Sequence, residues 1–281
     1  MSEGRASIGT SGQEGHNLLL RIVASLVMAP LAIATAYAGG WFWTGLVTLA
    51  AIGLYAEWLT VIAARTLLLL LLGTLVLVGA GWVEATHFDI ASLAAVVLLG
   101  VAVAAIFSTE RRGWAVLGMG YALAASVASS MVRRDPASGF AALMLVLLVV
   151  WATDIGGYFA GRLIGGAKLW PQVSPKKTWA GAVGGFAASL VVAAAFAALG
   201  IGKAVPLLLL AAALSVAAQL GDLFESAVKR RFGVKDSSHV IPGHGGLMDR
   251  LDGFVAAIVL AALFGFLRGG ADGVGHALMV W

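Results

Sequence analysis

Carboxylate side chains interrupt the apolar carboxyl-terminal half of the chain at three places. Asp154 lies in the run ATDIGGYFAGRLIGG, Asp222 lies in QLGDLFES, and Asp249 and Asp252 lie three residues apart in MDRLDG. An unpaired carboxylate in hydrocarbon is costly, so these positions indicate function. The chain has no cysteine, and oxygen ligands without sulfur suit Mg²⁺ or Mn²⁺. The pattern predicts a site for metal-assisted phosphoryl or nucleotidyl transfer.

Two basic loops flank these carboxylates. In the first, SPKKTWAGAVGG, the loop begins at Ser174, and Lys176 and Lys177 precede a predicted helix start at Thr178. Ammonium groups beside the unpaired N–H groups of a helix start form an anion site, which favours phosphate binding. The lysine pair alone would also fit a simple topology signal.

The second loop, KRRFGVKDSSHVIPGHGG, joins the helix of Asp222 to the helix of Asp249. It contains four cations, at Lys229, Arg230, Arg231 and Lys235. His239 and His244 could bind a metal, although a loop histidine more often forms ordinary hydrogen bonds. The loop therefore predicts a second set of phosphate-binding groups.

Long apolar runs must position these side chains. Of the 281 residues, 60% are hydrophobic and 11% are charged, whereas a soluble domain is roughly 45–50% apolar and about 25% charged. This composition excludes a water-soluble enzyme and a disordered chain. We predict an all-α, polytopic transmembrane helical bundle of about nine spans. The spans lie near Leu18–Ala38, Trp41–Ala63, Thr66–Trp82, Phe88–Ser108, Gly113–Met131, Gly139–Ile164, Thr178–Gly200, Ala204–Val228 and Gly246–Leu267.

The predicted spans bring the carboxylates to a similar depth. At 1.5 Å per residue, Asp222 lies about 27 Å along its helix from Ala204, and Asp154 lies about 22 Å from Gly139 on a span that runs the same way. The two aspartates of MDRLDG occupy the first turns of the last span. We therefore expect carboxylates from three helices to meet near one membrane surface.

The sixth span also carries a repeat of small residues. Gly157, Gly161 and Gly165 recur every four residues, which lets a second helix backbone approach closely. We predict helix packing at these glycines rather than ligand contact.

The basic residues set the predicted orientation. With a cytoplasmic amino terminus, four of the 18 Lys and Arg residues fall outside, and the other 14 fall inside, as the positive-inside rule requires. The four are Arg133, Arg134, Lys203 and Arg268. The basic residues thus indicate topology and lipid contact, not nucleic-acid binding. We expect a disordered tail at 1–16, supporting helices at 17–137, a catalytic unit at 138–268 and a second tail at 269–281.

The stretch SAVKRRFGVKDSSHVIPGHGGLMDRLD, Ser226–Asp252, resembles the signature of the phosphatidate cytidylyltransferase (CDP-diacylglycerol synthase) family. QLGDLFES, SPKKTWAGAVGG and the D-x-x-x-Y-x-x-G-R run that begins at Asp154 are also similar to family elements, as is Glu57-Trp58. The resemblance of motifs covers roughly Asp154–Gly253. Glu57 lies within the second span, where structural and functional roles fit equally well.

The resemblance implies an integral membrane enzyme that joins CTP and phosphatidic acid into CDP-diacylglycerol and releases pyrophosphate. It also implies a Mg²⁺ requirement, with room for a second metal ion, a homodimer, and a site on the cytoplasmic side of the cell inner membrane. Asp222 and Asp249 would hold the metal. The other catalytic residues implied are Lys229, Arg230, Lys235, Asp236, His244, Arg250 and Asp252. The nucleotide would be bound by Asp154, Ser174, Lys176, Lys177, Gly245 and Gly246.

Two other classes of protein place carboxylates in membrane spans. A cation-coupled transporter binds its substrate near the midplane between broken helices, whereas these charges gather at one interface beside a basic loop. A CDP-alcohol phosphotransferase uses paired Asp-x-x-Asp helices, but its DGxxAR spacing is missing because Gly253–Ala257 lacks the arginine. Both alternatives are weaker than the cytidylyltransferase interpretation.

The predicted topology is directly testable. The apolar runs predict nine spans, and the charge distribution places the amino terminus in the cytoplasm. Reporter fusions after Trp281 and within Lys229–His239 should therefore report opposite sides of the membrane. Fusions that report the same side would contradict this topology.

Overall fold

The computed structural model of the protein describes residues 26–86, 89–108, 110–238 and 245–281. Within these residues, eight helices are long and apolar enough to cross a membrane. They are α2 (Gly40–Val61), α3 (Leu67–Thr86), α4 (Ile90–Phe107), α5 (Arg112–Arg134), α6 (Gly139–Leu163), α7 (Trp179–Ala198), α8 (Ala204–Arg231) and α9 (Met248–Gly269). Two shorter helices accompany them, α1 over Leu26–Ala38 and α10 over Val274–Met279.

This architecture confirms the predicted polytopic all-α bundle. The second to ninth predicted spans each correspond to one long helix, with ends that differ by no more than four residues. The first predicted span corresponds to α1 from Leu26 onward. Its residues 18–25, like the predicted tail at 1–16, lie outside the described part of the chain.

A β-hairpin replaces the predicted loop between α6 and α7. Strand β1 (Lys168–Trp170) pairs antiparallel with β2 (Ser174–Thr178), with Lys168 opposite Thr178 and Trp170 opposite Ser174. Strands of three and five residues are too short to show a hydrophobic periodicity, so the sequence pattern could not reveal them. The hairpin fixes the backbone that carries the lysine pair.

The predicted helix start at Thr178 is confirmed. Thr178 is the N-cap of α7, and its Oγ1 accepts a hydrogen bond from the Gly181 N–H at 3.0 Å. A threonine side chain at this position satisfies a backbone donor that has no partner inside the helix. Because β2 ends at the cap, Lys177 lies immediately before the first turn of α7.

Helices α6 and α7 make the most extensive helix contact among the described elements. A Cβ added at Gly185 would lie only 2.4 Å from the Thr153 carbonyl oxygen. The predicted packing of Gly157 and Gly161 is confirmed, because both face Gly181 of α7. The prediction for the third member of the repeat is wrong: Gly165 lies past the end of α6 with φ +68°, and a Cβ there would meet nothing within 4 Å.

Among the described residues, two buried hydrophobic clusters hold the bundle together, and α9 contributes to both. One cluster surrounds α6 and includes Leu143 together with Ile258 of α9. The other joins α2, α3 and α5 through residues such as Trp58 and Met119, and it also includes Val255 of α9. Helix α9 therefore packs between the amino-terminal and carboxyl-terminal groups of helices.

The segment after α9 packs against the bundle. Val274 and Leu278 of α10 are fully buried in the cluster around α6. Arg268 donates from Nη1 to the Ala277 carbonyl oxygen at 2.5 Å, and its guanidinium lies 3.8 Å from the centre of the Trp281 ring. These contacts tie α10 and the last residue to the end of α9.

The close contact of α6 with α7 leads to a stability prediction. Replacing Gly185 with alanine would push a methyl group against backbone, and overpacking of this kind costs about 1–3 kcal/mol. We expect Gly185→Ala to lower the midpoint of thermal unfolding in detergent. Gly79→Ala on α3 is the matched control, because a Cβ there meets nothing within 4 Å. Equal midpoints for both variants would contradict the packing argument.

Candidate active site

An open cavity of about 700 Å³ lies where α6, α8 and α9 meet the hairpin and α7. The structure thus brings the carboxylates of three helices together, as their depth along the spans predicts. Seven residues of the predicted site line the cavity: Asp154, Lys176, Lys177, Asp222, Asp249, Arg250 and Asp252.

Other predicted residues do not line the cavity wall. Among the described residues these are Ser174, Lys229, Arg230, Lys235, Asp236, Gly245 and Gly246. Lys229 is buried, whereas Lys235 and Asp236 are exposed. Arg230 is exposed as well, and its Nη1 donates to the Val234 carbonyl oxygen at 3.1 Å. His244 lies outside the described residues.

Lys177 of the hairpin forms an ion pair with Asp222 of α8. Both side chains are partly exposed, at 27% and 31%. On the other side of the carboxylate, Ser226 Oγ lies 3.4 Å from Asp222 Oδ1, at the long limit of a hydrogen bond. Lys177 therefore neutralises a carboxylate and also faces the cavity as a possible partner for an anion.

Asp249 is held by donors from two directions. Lys229 of α8 donates from Nζ to Asp249 Oδ1 at 2.5 Å and also pairs with Glu225 Oε2 at 2.9 Å. The other oxygen, Oδ2, accepts from the backbone N–H groups of Ser237 and Gly246 at 3.0 and 2.9 Å. The Ser237 hydroxyl lies 3.1 Å from the same oxygen. These contacts fix one orientation of the Asp249 carboxylate at the cavity wall.

Charged side chains of both signs are concentrated in the cavity wall. The charges of Asp154, Asp222 and Asp252 act on one another. Lys177 offsets this repulsion, and Arg250 adds positive charge that acts on Asp154. The carboxylates attract cations, and the lysine and arginine side chains attract anions. The site therefore suits a ligand that brings a metal ion as well as phosphate groups.

The donor set fits an oxygen-preferring divalent cation. Asp222 and Asp249 reach one cavity from different helices, and Mg²⁺ commonly uses one or two carboxylates together with substrate phosphates. Within the described ranges, no group of three His, Cys, Asp or Glu side chains could hold an ion. A site completed by phosphate oxygens therefore matches these residues better than one built from protein alone. Lys177 and Lys229 would compete with the cation for the two carboxylates.

Further polar side chains in the cavity wall lie outside the predicted site. Arg162 donates from Nη1 to the Tyr158 hydroxyl at 2.7 Å, and both residues line the cavity. Gln219 of α8 also lines it and donates to the Ala182 carbonyl oxygen of α7 at 3.3 Å. Tyr158 and Arg162 follow Asp154 at intervals of four residues, which places all three side chains on one helix face. This spacing could have identified the pair from the sequence.

Comparison of the sequence with known proteins identifies the family of the chain. The chain matches the sequence model of the cytidylyltransferase family over residues 19–267. It is 40% identical over 260 residues to a protein of Brucella suis biovar 1 named phosphatidate cytidylyltransferase, covering 89% of this chain and 93% of that protein. Proteins of the same name from Haemophilus influenzae and Bacillus subtilis are 43% identical over 139 residues and 46% identical over 127 residues.

Those two shorter matches cover 47% and 44% of this chain, and 48% and 47% of the respective relatives. The match to the Brucella suis protein and the match to the family model each extend over most of the chain. They agree with the resemblance predicted from the motifs between Asp154 and Gly253. The protein belongs to the cytidylyltransferase family.

Proposed function

We propose that the protein joins CTP and phosphatidate into CDP-diacylglycerol and releases pyrophosphate. The observation that carries this proposal is the convergence of Asp222, Asp249 and the Lys176–Lys177 pair on one cavity in a bundle of membrane-spanning helices. The cavity offers charges for a metal–nucleotide, and the bundle offers access to a lipid substrate. The names of the curated relatives support the same pair of substrates.

The chemistry requires positioning more than acid–base catalysis. A phosphate oxygen of phosphatidate forms the new bond to the α-phosphorus of CTP. The bond from that phosphorus to the oxygen bridging the α- and β-phosphates breaks, and pyrophosphate leaves with the electron pair. Because the nucleophile is already an anion, no strong general base is needed. The protein must align the two anions and offset their mutual repulsion.

The cavity cations supply this neutralisation in our proposal. Lys176, Lys177 and Arg250 line the cavity and would contact phosphate oxygens of the two substrates. Asp222 and Asp249 would hold Mg²⁺, which when bound would neutralise phosphate charge. Lys229 acts through its contact with Asp249.

Other predicted residues keep roles that rest on the family resemblance. Arg230 would clamp phosphate groups, and Lys235 and Asp236 would belong to the catalytic residues. Ser174 would bind the nucleotide. His244, Gly245 and Gly246 would let the backbone approach the nucleotide at the start of the last helix. Asp154 and Asp252 line the cavity and would orient the metal–nucleotide complex. We further propose a homodimer in the cytoplasmic membrane with the site facing the cytoplasm. The uneven distribution of Lys and Arg supports this orientation.

The proposed function is tested by incubating purified protein with CTP labelled at the α-phosphate, phosphatidate and Mg²⁺. We expect label in a lipid-soluble cytidine product, with pyrophosphate formed in equal amount. Product formation without phosphatidate, or label that remains in water-soluble nucleotide alone, would contradict the proposal.

The roles of the two metal-site aspartates give a sharper prediction. Asp222→Asn and Asp249→Asn keep the size of each side chain and remove its charge. We expect each variant to lose more activity than the roughly 10–100-fold typical of a group that only orients a ligand. Asp252→Asn should lose less. The measurement is the initial rate of CDP-diacylglycerol formation at saturating CTP.

Asp272→Asn provides the matched control, because the same chemical change falls in the exposed turn after α9, away from the cavity. It should keep the wild-type rate. Near-normal Mg²⁺-dependent rates in Asp222→Asn or Asp249→Asn would refute the metal assignment.

A further inference from the structure

Glu57 is a buried carboxylate of α2 that lies outside the cavity wall. Only 5% of its surface is exposed, and a charge in this position needs partners. Among the described residues, the hydrogen bonds of its carboxylate all reach the loop and helix start that carry Asp249, 180 or more residues further along the chain. Helix α2 therefore contacts the loop and helix start of Asp249 through this side chain.

Both carboxylate oxygens of Glu57 accept hydrogen bonds. Oε1 accepts from the Ser238 hydroxyl at 2.6 Å and from the Leu247 N–H at 2.8 Å. Oε2 accepts from the Ser237 hydroxyl at 2.8 Å and from the Met248 N–H at 2.7 Å. The carboxylate thus binds two side chains and two backbone amides.

The two amides belong to the start of α9. Leu247 is the N-cap residue, and its own side chain makes no capping hydrogen bond. The first N–H groups of a helix have no partner within the helix, and a carboxylate is favoured beside them. Glu57, which belongs to another helix, therefore caps the start of α9. The capped amides lie within one helical turn of Asp249.

Ser237 links Glu57 directly to Asp249. Its hydroxyl oxygen lies 2.8 Å from Glu57 Oε2 and 3.1 Å from Asp249 Oδ2. Its backbone N–H donates to the same Asp249 oxygen at 3.0 Å. Gly246 sits against this bridge, since a Cβ there would lie 1.9 Å from Ser237 Oγ and 2.5 Å from Glu57 Oε2. A side chain at position 246 would therefore collide with the bridge.

The neighbouring residue anchors Glu57. Trp58 is buried, and its Nε1 donates to the Trp114 carbonyl oxygen of α5 at 2.8 Å. A Cβ at Gly118 would lie 2.1 Å from the Trp58 ring, so α5 must approach closely to hold it. This end of α2 is thereby fixed against α5 and can serve as a rigid support.

We propose that Glu57 is a positioning residue for nucleotidyl transfer: it holds Ser237 and the first amides of α9 so that the Asp249 carboxylate faces the cavity in one orientation. This inference rests on the function proposed above. A purely structural Glu57 would affect only the amount and stability of folded protein. A positioning Glu57 changes turnover by the enzyme that does fold.

The test compares purified wild-type protein with Glu57→Gln, Ser237→Ala and the double variant. Glutamine keeps the shape of the Glu57 side chain but replaces one carboxylate oxygen with an NH₂ group. That group would face the hydroxyl and amide donors that now bind the oxygen. We expect kcat per folded enzyme to fall about 10–100-fold in Glu57→Gln, and Glu57→Asp to recover part of the loss. Because both groups act through one bridge, the double variant should be no slower than the slower single variant. Amide hydrogen exchange at Leu247 and Met248 should become faster in Glu57→Gln.

Glu84→Gln is the matched control. Glu84 is also a buried carboxylate of the amino-terminal helices, and it accepts a hydrogen bond from the Ser130 hydroxyl at 2.5 Å, away from the cavity. Its kcat should equal that of the wild type. An unchanged kcat in folded Glu57→Gln, or losses that simply multiply in the double variant, would overturn the inference. An inactive wild-type protein would instead refute the proposed function.

Discussion

A carboxylate at the end of a membrane-spanning helix must be surrounded by donors, and the site of this protein is organised around that requirement at Asp249. Lys229 reaches one oxygen from α8, while backbone and hydroxyl groups of the following loop reach the other. Breaking a buried ion pair by removing one partner costs about 3–5 kcal/mol, because it leaves an uncompensated charge. The end of α8, the loop and the start of α9 are therefore fixed relative to one another.

The amino-terminal and carboxyl-terminal groups of helices have different structural roles. The carboxyl-terminal helices supply the cavity, and the close glycine contact of α6 with α7 holds the hairpin with Lys177 opposite Asp222. The amino-terminal helices supply support, because Glu57 caps α9 from α2 and Trp58 anchors that helix to α5. Charges of both signs can then remain close together before substrate binds. Held groups of this kind need little rearrangement during the reaction.

Hydropathy and helical spacing were enough to predict the spans, the shared depth of Asp154 and Asp222, and the cap at Thr178. These features depend on residues close in sequence. The hairpin escaped prediction because its short strands carry no periodic apolar face. The partners of Glu57 also could not be predicted, since they lie 180 or more residues away and depend on how α2 packs beside α9. The individual roles of Arg230, Lys235, Asp236 and His244 stay predictions.

Cation binding can be measured apart from turnover. Mn²⁺ titrated into the purified protein with a non-reactive CTP analogue, and followed by electron paramagnetic resonance, reports whether Asp222 and Asp249 hold a divalent ion together with the nucleotide. We expect nucleotide-dependent Mn²⁺ binding by the wild type that weakens by at least about 10-fold when either aspartate becomes asparagine. Equal Mn²⁺ affinity in the wild type and both variants would contradict this account of the site.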